Sequence, residues 1–247
     1  MVPEGSHVRS VYLDDQPGVC SVDLEDRILI DCSTIDLPTS LEVKEHIAAK
    51  NPGAFFYDAP VSGGTLGAEK GTIAFFLGCA PTDAKLDLLS KILCTMGSKV
   101  IPCGGFSAGL ASKLCNNYLS GLIAIASSEA LNMGIKAGLD PRVLSSVFAA
   151  GTAQNAICDR FNPCPGVVPD APSSKGYQGG FKVQLMKKDF SLAVDLANTV
   201  GARLVLGEQG LDVFTSASND SQCRDRDSRV VFRWIGGDED WSARAFE

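Results

Sequence analysis

Between Ile28 and Pro102 the apolar residues fall in short, β-rich clusters: Ile28-Leu29-Ile30-Asp31-Cys32, Phe55-Phe56-Tyr57-Asp58, Thr72-Ile73-Ala74-Phe75-Phe76-Leu77-Gly78 and Lys99-Val100-Ile101-Pro102. Runs of this length, bounded by turn residues, predict strands. Helical spacing separates several of them. Thr39 to Lys50 reads as a helix that Pro38 starts and Asn51-Pro52-Gly53 stops, and Thr82 to Met96 carries Leu86, Leu88, Leu89, Ile92 and Leu93 at near-helical intervals. Strands alternating with helices predict an α/β layer.

The pattern changes near Ser107. Leu110 to Ala137 contains no proline, and Leu110, Leu114, Tyr118, Leu122, Ile125, Ala126 and Met133 recur at helical spacing before Gly138, which predicts one long, largely buried helix. Asp140-Pro141 reads as an N-cap followed by proline at the first helical position, and Leu185 to Thr199 as a further helix. Phe161 to Gly180, rich in Pro, Gly and Ser, predicts an ordered loop running over the surface. Beyond Asn219 the charges turn dense and mixed, as in Arg224-Asp225-Arg226-Asp227-Ser228-Arg229, which reads as a solvated face or a subunit contact. The expected division is therefore an α/β domain over 1–106, an all-α domain over 107–218 begun by the long interdomain helix, and a charged tail over 219–247.

Composition narrows the function. The 247 residues correspond to between one and two domains of roughly 150 residues, and 45% hydrophobic with 21% charged residues describes an ordinary globular chain. No apolar run approaches the roughly 20 residues of a membrane span. Met1-Val2-Pro3-Glu4-Gly5 lacks a basic stretch before an apolar one, so a soluble chain without a membrane partner or a visible targeting segment is expected. A net charge of -7 argues against a grip on nucleic acid. The nine cysteines are odd in number and form no C-x-x-C, which predicts neither a disulfide framework nor a zinc ribbon and suits a reducing compartment. With His7 and His46 as the only histidines, no metal site is expected.

Three constellations could carry chemistry. Gly105-Phe106-Ser107-Ala108-Gly109 matches the G-x-S-x-G of a nucleophile elbow, but both histidines precede Ser107 and no general base follows it, so a structural turn is expected. Asp58-Ala59-Pro60-Val61-Ser62-Gly63-Gly64 ends a strand; the backbone of Ser62, Gly63 and Gly64 can cradle a carboxylate or phosphate, or can simply turn. Gly109, Lys113 and Asn117 stand four apart and line one helical face. On a buried face Lys113 would be paired or functional, with a lowered pKa, whereas on an exposed one it would snorkel to solvent. Asn117 could orient a substrate hydroxyl or carboxylate, with Gly109 leaving room for it.

Leu29-Ile30-Asp31-Cys32-Ser33-Thr34-Ile35-Asp36, the Asp58 to Gly64 segment, G-x-x-x-K-x-x-x-N over Gly109 to Asn117, and Lys188-Asp189 together resemble the β-hydroxyacid dehydrogenases. Asn162-Pro163-Cys164-Pro165-Gly166-Val167 and Tyr177-Gln178-Gly179-Gly180-Phe181 are similar to the 3-hydroxyisobutyrate branch of that family, and the likeness runs from Met1 to about Gly210. It implies a Rossmann layer followed by a helical domain, and an NAD-linked oxidation of a small 3-hydroxy acid in valine catabolism. A homo-oligomeric enzyme, usually mitochondrial, is also implied.

The same resemblance makes Lys113 the catalytic lysine, with Ser62, Gly63 and Gly64 on the substrate carboxylate and Asn117 positioning the substrate. Cofactor contacts fall on Val2, Pro3, His7, Thr34 and Lys188. No two of the 25 glycines are separated by a single residue, so G-x-G-x-x-G is absent. The expectation is a partial Rossmann domain with an incomplete parallel sheet, lacking its pyrophosphate-binding half. Within this reading the chain is an active dehydrogenase, a catalytically silent shortened form, or a relative acting on another β-hydroxy acid.

Overall fold

Residues 1–14 and 18–243 are described by the computed structural model of the chain. Two units make it up, Met1–Asn116 with Asp195–Gly201, and Asn117–Val194 with Ala202–Glu247. In the first, α1 (Gly5–Leu13) precedes β1 (Ile28–Asp31), α2 (Leu37–Lys50) and β2 (Phe55–Asp58). The two strands pair in parallel, Ile28 opposite Phe55 and Asp31 opposite Asp58, with α2 as the crossover that parallel pairing requires. Asp36 starts α2 by accepting the Thr39 N–H at 2.8 Å, and Val43 and Ile47 point from the helix into a core with Val8, Leu29, Ile35 and Phe56.

The chain then bends at Ala59-Pro60. β3 (Val61–Ser62) runs antiparallel to β4 (Ile73–Leu77), with α3 (Gly64–Glu69) between them, and β4 pairs in parallel with β5 (Gly97–Pro102) after α4 (Leu86–Leu93). The expected parallel arrangement is thus present with one antiparallel element, β3, which is too short to show any periodicity. The helix expected over Thr82 to Met96 forms only from Leu86. Upstream, the Asp83 carboxylate accepts the Lys85 N–H at 2.8 Å, a local turn that competes with helical bonding. Tyr57, Phe75, Leu77, Leu89 and Leu93 fill the core between α4 and the strands.

α5 (Ala108–Lys136) begins in the first unit and continues into the second. It is followed by α6 (Pro141–Ala150), α7 (Ala156–Arg160), α8 (Val183–Val200), α9 (Gly207–Asn219) and α10 (Val231–Trp234). Asp140 caps α6 as expected, accepting the Arg142 N–H at 2.8 Å ahead of Pro141. Phe190 on α8 stacks with Tyr118 and Phe214, with ring centroids 4.8 and 5.6 Å away, at the centre of the second core. Met133, placed on the buried stripe by its spacing, is instead 70% exposed.

Two expectations for the second unit are refined. The 161–180 segment is an ordered loop with Gly166, Pro169, Asp170, Lys175 and Gln178 exposed, but it is anchored rather than laid over the surface, because Asn162, Cys164, Ala171, Pro172, Ser173 and Tyr177 are buried. Its polar groups are satisfied internally: Asn162 accepts the Cys164 N–H, the Ser173 hydroxyl donates to the Asn162 carbonyl, and the Tyr177 hydroxyl donates to the Pro163 carbonyl at 2.9 Å. The charged segment after Asn219 is a solvated face only in part: Arg224 and Asp225 are exposed, with side-chain exposures of 69% and 63%, but the residues directly after them are not. Asp227, Ser228, Val230, Val231 and Phe232 are fully buried, and Val230 and Val231 belong to the core around Phe190. All nine cysteines are free thiols.

Candidate active site

Ligands of α/β sheets bind beyond the carboxyl ends of the parallel strands. In the first unit those ends include Asp31 on β1 and Asp58 on β2, and the expected residues Thr34, Ser62, Gly63 and Gly64 follow these two within a few positions. Asp31 is buried and organises its turn: Oδ1 accepts the Ser33 N–H at 3.0 Å and the Ser33 hydroxyl at 2.6 Å. The Ser33 oxygen in turn accepts the Val2 N–H at 2.9 Å, which holds Val2 against the residue before Thr34. Burial pushes the neighbouring Cys32 thiol up to about 11, so it is a neutral packing group at physiological pH. His7 lies apart on the exposed side of α1.

Beyond β2, Ser62 ends β3 partly buried and Gly63 opens α3 with a φ of 141°. Gly64 has a φ of 64° and open space where a side chain would stand. Both glycines are exposed, which leaves their backbone N–H groups accessible to a small anion.

Asp58 does something different, which its place in the sequence motif did not reveal. The carboxylate is 1% exposed and receives the N–H of Ser107 at 2.9 Å on one oxygen and the N–H of Leu110 at 2.8 Å on the other. Leu110 contributes one of the free donors of the first turn of α5 and Ser107 immediately precedes the helix, so a strand residue caps α5 from outside. Ser107 itself sits at φ 66°, strained for a serine, and its N–H is spent on Asp58, so the G-x-S-x-G of Gly105 to Gly109 is the expected structural turn. Desolvation raises the Asp58 pKa, opposed by the two N–H bonds.

Gly109 is corrected accordingly. A side chain there would collide with the Phe76 carbonyl oxygen and crowd the Asp58 carboxylate, and one at Gly78 would collide with the same carboxylate. Gly109 therefore makes room for β4 and Asp58, not for a ligand beside Asn117. One turn later Lys113 is 8% exposed, on the buried side of the helix.

In the second unit Asn117, 5% exposed, donates through Nδ2 to Oδ2 of Asp189 at 2.5 Å. Asp189, 2% exposed, also pairs with Lys188, whose ammonium lies 3.0 Å from Oδ1. Two of the expected residues are thus joined through a third that the Lys188-Asp189 pair contained without a role attached. A cleft of about 370 Å³ in the first unit, bordered by Lys44, Phe55, Tyr57, Asp83 and Phe106, contains none of the expected site residues.

Two family models cover the chain. Residues 1–105 match the NAD binding domain of 6-phosphogluconate dehydrogenase, and residues 107–235 match the NAD-binding domain of NADP-dependent 3-hydroxyisobutyrate dehydrogenase. A 3-hydroxyisobutyrate dehydrogenase from Pseudomonas aeruginosa is 42% identical over 87% of this chain and 70% of its own length. The chain belongs to the 3-hydroxyisobutyrate dehydrogenase family. As a member it is an NAD-dependent 3-hydroxyacid dehydrogenase by class, with a small hydroxy acid as substrate.

Family members differ in their named substrates. An NAD-dependent L-serine dehydrogenase, also from Pseudomonas aeruginosa, is 37% identical over 87% of this chain and 70% of its own length. The structure of Mycobacterium tuberculosis 3-hydroxyisobutyrate dehydrogenase with L-serine superposes with a TM-score of 0.85 at 33% identity, covering 95% of this chain and 77% of that one. The members share a dinucleotide; in this chain the Val2 N–H meets Ser33 just beyond the carboxyl end of β1, and a buried lysine stands one turn into α5. The glycine-rich turn by which Rossmann folds hold a pyrophosphate has no counterpart among these 247 residues.

Proposed function

We propose that the chain oxidises 3-hydroxyisobutyrate to methylmalonate semialdehyde in valine catabolism, with Lys113 as its general base. The observation that carries this reading is a lysine buried on a capped helix whose unit also presents an accessible Ser62-Gly63-Gly64 turn. NAD, when bound, supplies the hydride acceptor. Lys113 Nζ takes the proton of the substrate hydroxyl as C–H electrons leave the same carbon, so that a carbonyl forms. Ser62, Gly63 and Gly64 hold the substrate carboxylate by their backbone N–H groups, and Asn117 orients the substrate. Val2, Pro3, Thr34 and Lys188 hold the cofactor, with His7 at the margin.

Relatives named as mitochondrial, from Dictyostelium discoideum and Rattus norvegicus among others, support a mitochondrial location, and the reading includes a homo-oligomeric enzyme. L-Serine is the second reading. It is also a 3-hydroxy acid, and the serine-named relative and serine-containing structure favour it. Steady-state NADH formation with each compound separates the two. The proposal expects kcat/KM for 3-hydroxyisobutyrate to exceed that for L-serine by about tenfold or more, because a pocket fitted to its C2 methyl would have to desolvate the ammonium that serine carries there; the reverse order assigns serine. Titrating NADH into the purified chain tests the silent alternative: binding in the micromolar range supports an active dehydrogenase, and no binding at millimolar NADH overturns it.

A further inference from the structure

We infer that Asp58 is a positioning residue for the reaction, one that fixes where Lys113 stands relative to the Ser62-Gly63-Gly64 turn; this rests on the role proposed for Lys113. Asp58 neither follows the loop far enough to meet a carboxylate nor faces solvent. Both of its oxygens are taken by the N–H groups of Ser107 and Leu110. Leu110 lies three residues before Lys113, and Asp58 lies four residues before Ser62. One buried carboxylate therefore joins the strand that feeds the anion turn to the helix turn that precedes the lysine.

The surroundings are built for this join. Gly78 and Gly109 each lack the side chain that would displace the carboxylate, and Gly109 brings α5 against the Phe76 carbonyl of β4. Ser107 accepts a φ of 66°, a conformation that a serine rarely adopts, in order to point its N–H at Asp58. An ordinary cap on Ser107 would start the helix without tying it to β2. The arrangement here fixes the helix start to the sheet.

Asp58→Asn tests this, because the amide keeps the shape and one acceptor but turns an NH2 group toward the other N–H. In the folded variant, kcat falls by about tenfold or more while KM for NAD stays within about twofold, since displacement of a catalytic group by a fraction of an ångström acts on the chemical step. Independently of turnover, modification of Lys113 by an amine-directed reagent, followed by mass spectrometry, accelerates by about threefold or more as the first turns of α5 open, while that of the exposed Lys99 does not change. Wild-type kcat or wild-type Lys113 labelling in a variant that retains the native circular dichroism overturns the inference.

If Asp58→Asn fails to fold, Gly109→Ala, which leaves the carboxylate intact and pushes the helix off β4, carries the same two readouts. Lys113→Ala run in parallel keeps the two ideas apart. Normal turnover by that variant removes the catalytic role of Lys113, whereas its loss together with unaffected Asp58→Asn removes only the positioning role.

Discussion

Replacing Asp227 by asparagine removes a charge from the least exposed ion pair of the second unit. Asp227 is fully buried and Arg229 nearly so, with side-chain exposures of 0% and 11%. Oδ2 receives the Phe181 N–H at 2.8 Å and the Arg229 guanidinium at 3.0 Å, and Oδ1 receives the Arg229 N–H at 3.0 Å. The guanidinium packs 4.9 Å from the centre of the Phe161 ring, and desolvation already holds its pKa below the usual arginine range. Without its carboxylate it is a buried, uncompensated charge.

Breaking one side of such a pair costs roughly 3–5 kcal/mol, against about 0–1 kcal/mol for a surface pair. For a unit of this size that lowers the midpoint of thermal unfolding by roughly 10–20 °C. Trp234 and Trp241 are the only tryptophans in the chain and both lie in the second unit, so urea denaturation followed by tryptophan fluorescence reads that unit directly. Asp227→Leu combined with Arg229→Met should be less destabilising than Asp227→Leu alone, because the orphaned charge is gone. A loss below about 1 kcal/mol in Asp227→Asn would refute the reasoning and return the segment to the role of a solvated appendage.

Other outcomes follow from the same structure. Asp36→Ala removes the carboxylate that caps α2 and should destabilise the first unit by about 1 kcal/mol, measured by urea denaturation; no change would mean that Pro38 alone starts the helix. Iodoacetamide should label Cys94 and Cys115, which are exposed, well before Cys158, Cys164 or Cys223, which are buried; equal rates under native conditions would contradict the packing. Burial pushes the thiols of Cys32 and Cys223 from 9.0 to about 11 and that of Cys164 to about 12, so above pH 9 the unfolded chain holds fewer protons than the folded one. Stability should therefore fall as pH rises from about 9 to 11, and a flat profile in chemical denaturation over that window would count against it. Asp189→Asn should raise KM for the hydroxy acid or for NAD by about tenfold, because the negative charge beside Lys188 is gone and Asn117 and Lys188 must compete for the one acceptor oxygen left; an unchanged KM for both would detach the pair from binding.

Much of this architecture is legible in the chain because local signals agree there with the packing. β2 was bounded correctly by Phe55 and Asp58, and α5 to within two residues, since no proline or competing cap interrupts its apolar repeat. Asp140-Pro141 announced α6 through a cap whose chemistry is purely local. What stayed hidden depends on partners far along the chain. α9 carries two glycines and several small polar residues, and it is a helix because Phe214 and Ala217 pack into the core around Phe190. Arg224 to Arg229 reads as solvent-facing until Phe181 and Phe161 are seen to enclose Asp227 and Arg229.

The candidate site divides in the same way. Lys113, Asn117 and the Ser62-Gly63-Gly64 turn could be picked out as residue types at suggestive spacing. The partners that hold them in place could not, because Asp58 lies 52 residues from Leu110 and Asn117 lies 72 from Asp189. Spacing alone makes Gly109 room for substrate. Its real neighbours, Phe76 and Asp58, come from strands that no helical spacing reveals.

The claim that Lys113 is the base in an NAD-linked oxidation of a 3-hydroxy acid is tested most directly by comparing NADH formation from 3-hydroxyisobutyrate by the wild-type chain and by Lys113→Ala at equal folded concentration. General-base catalysis predicts a loss of about 10²–10⁴-fold in kcat with native circular dichroism retained. Turnover by Lys113→Ala at the wild-type rate would contradict the account.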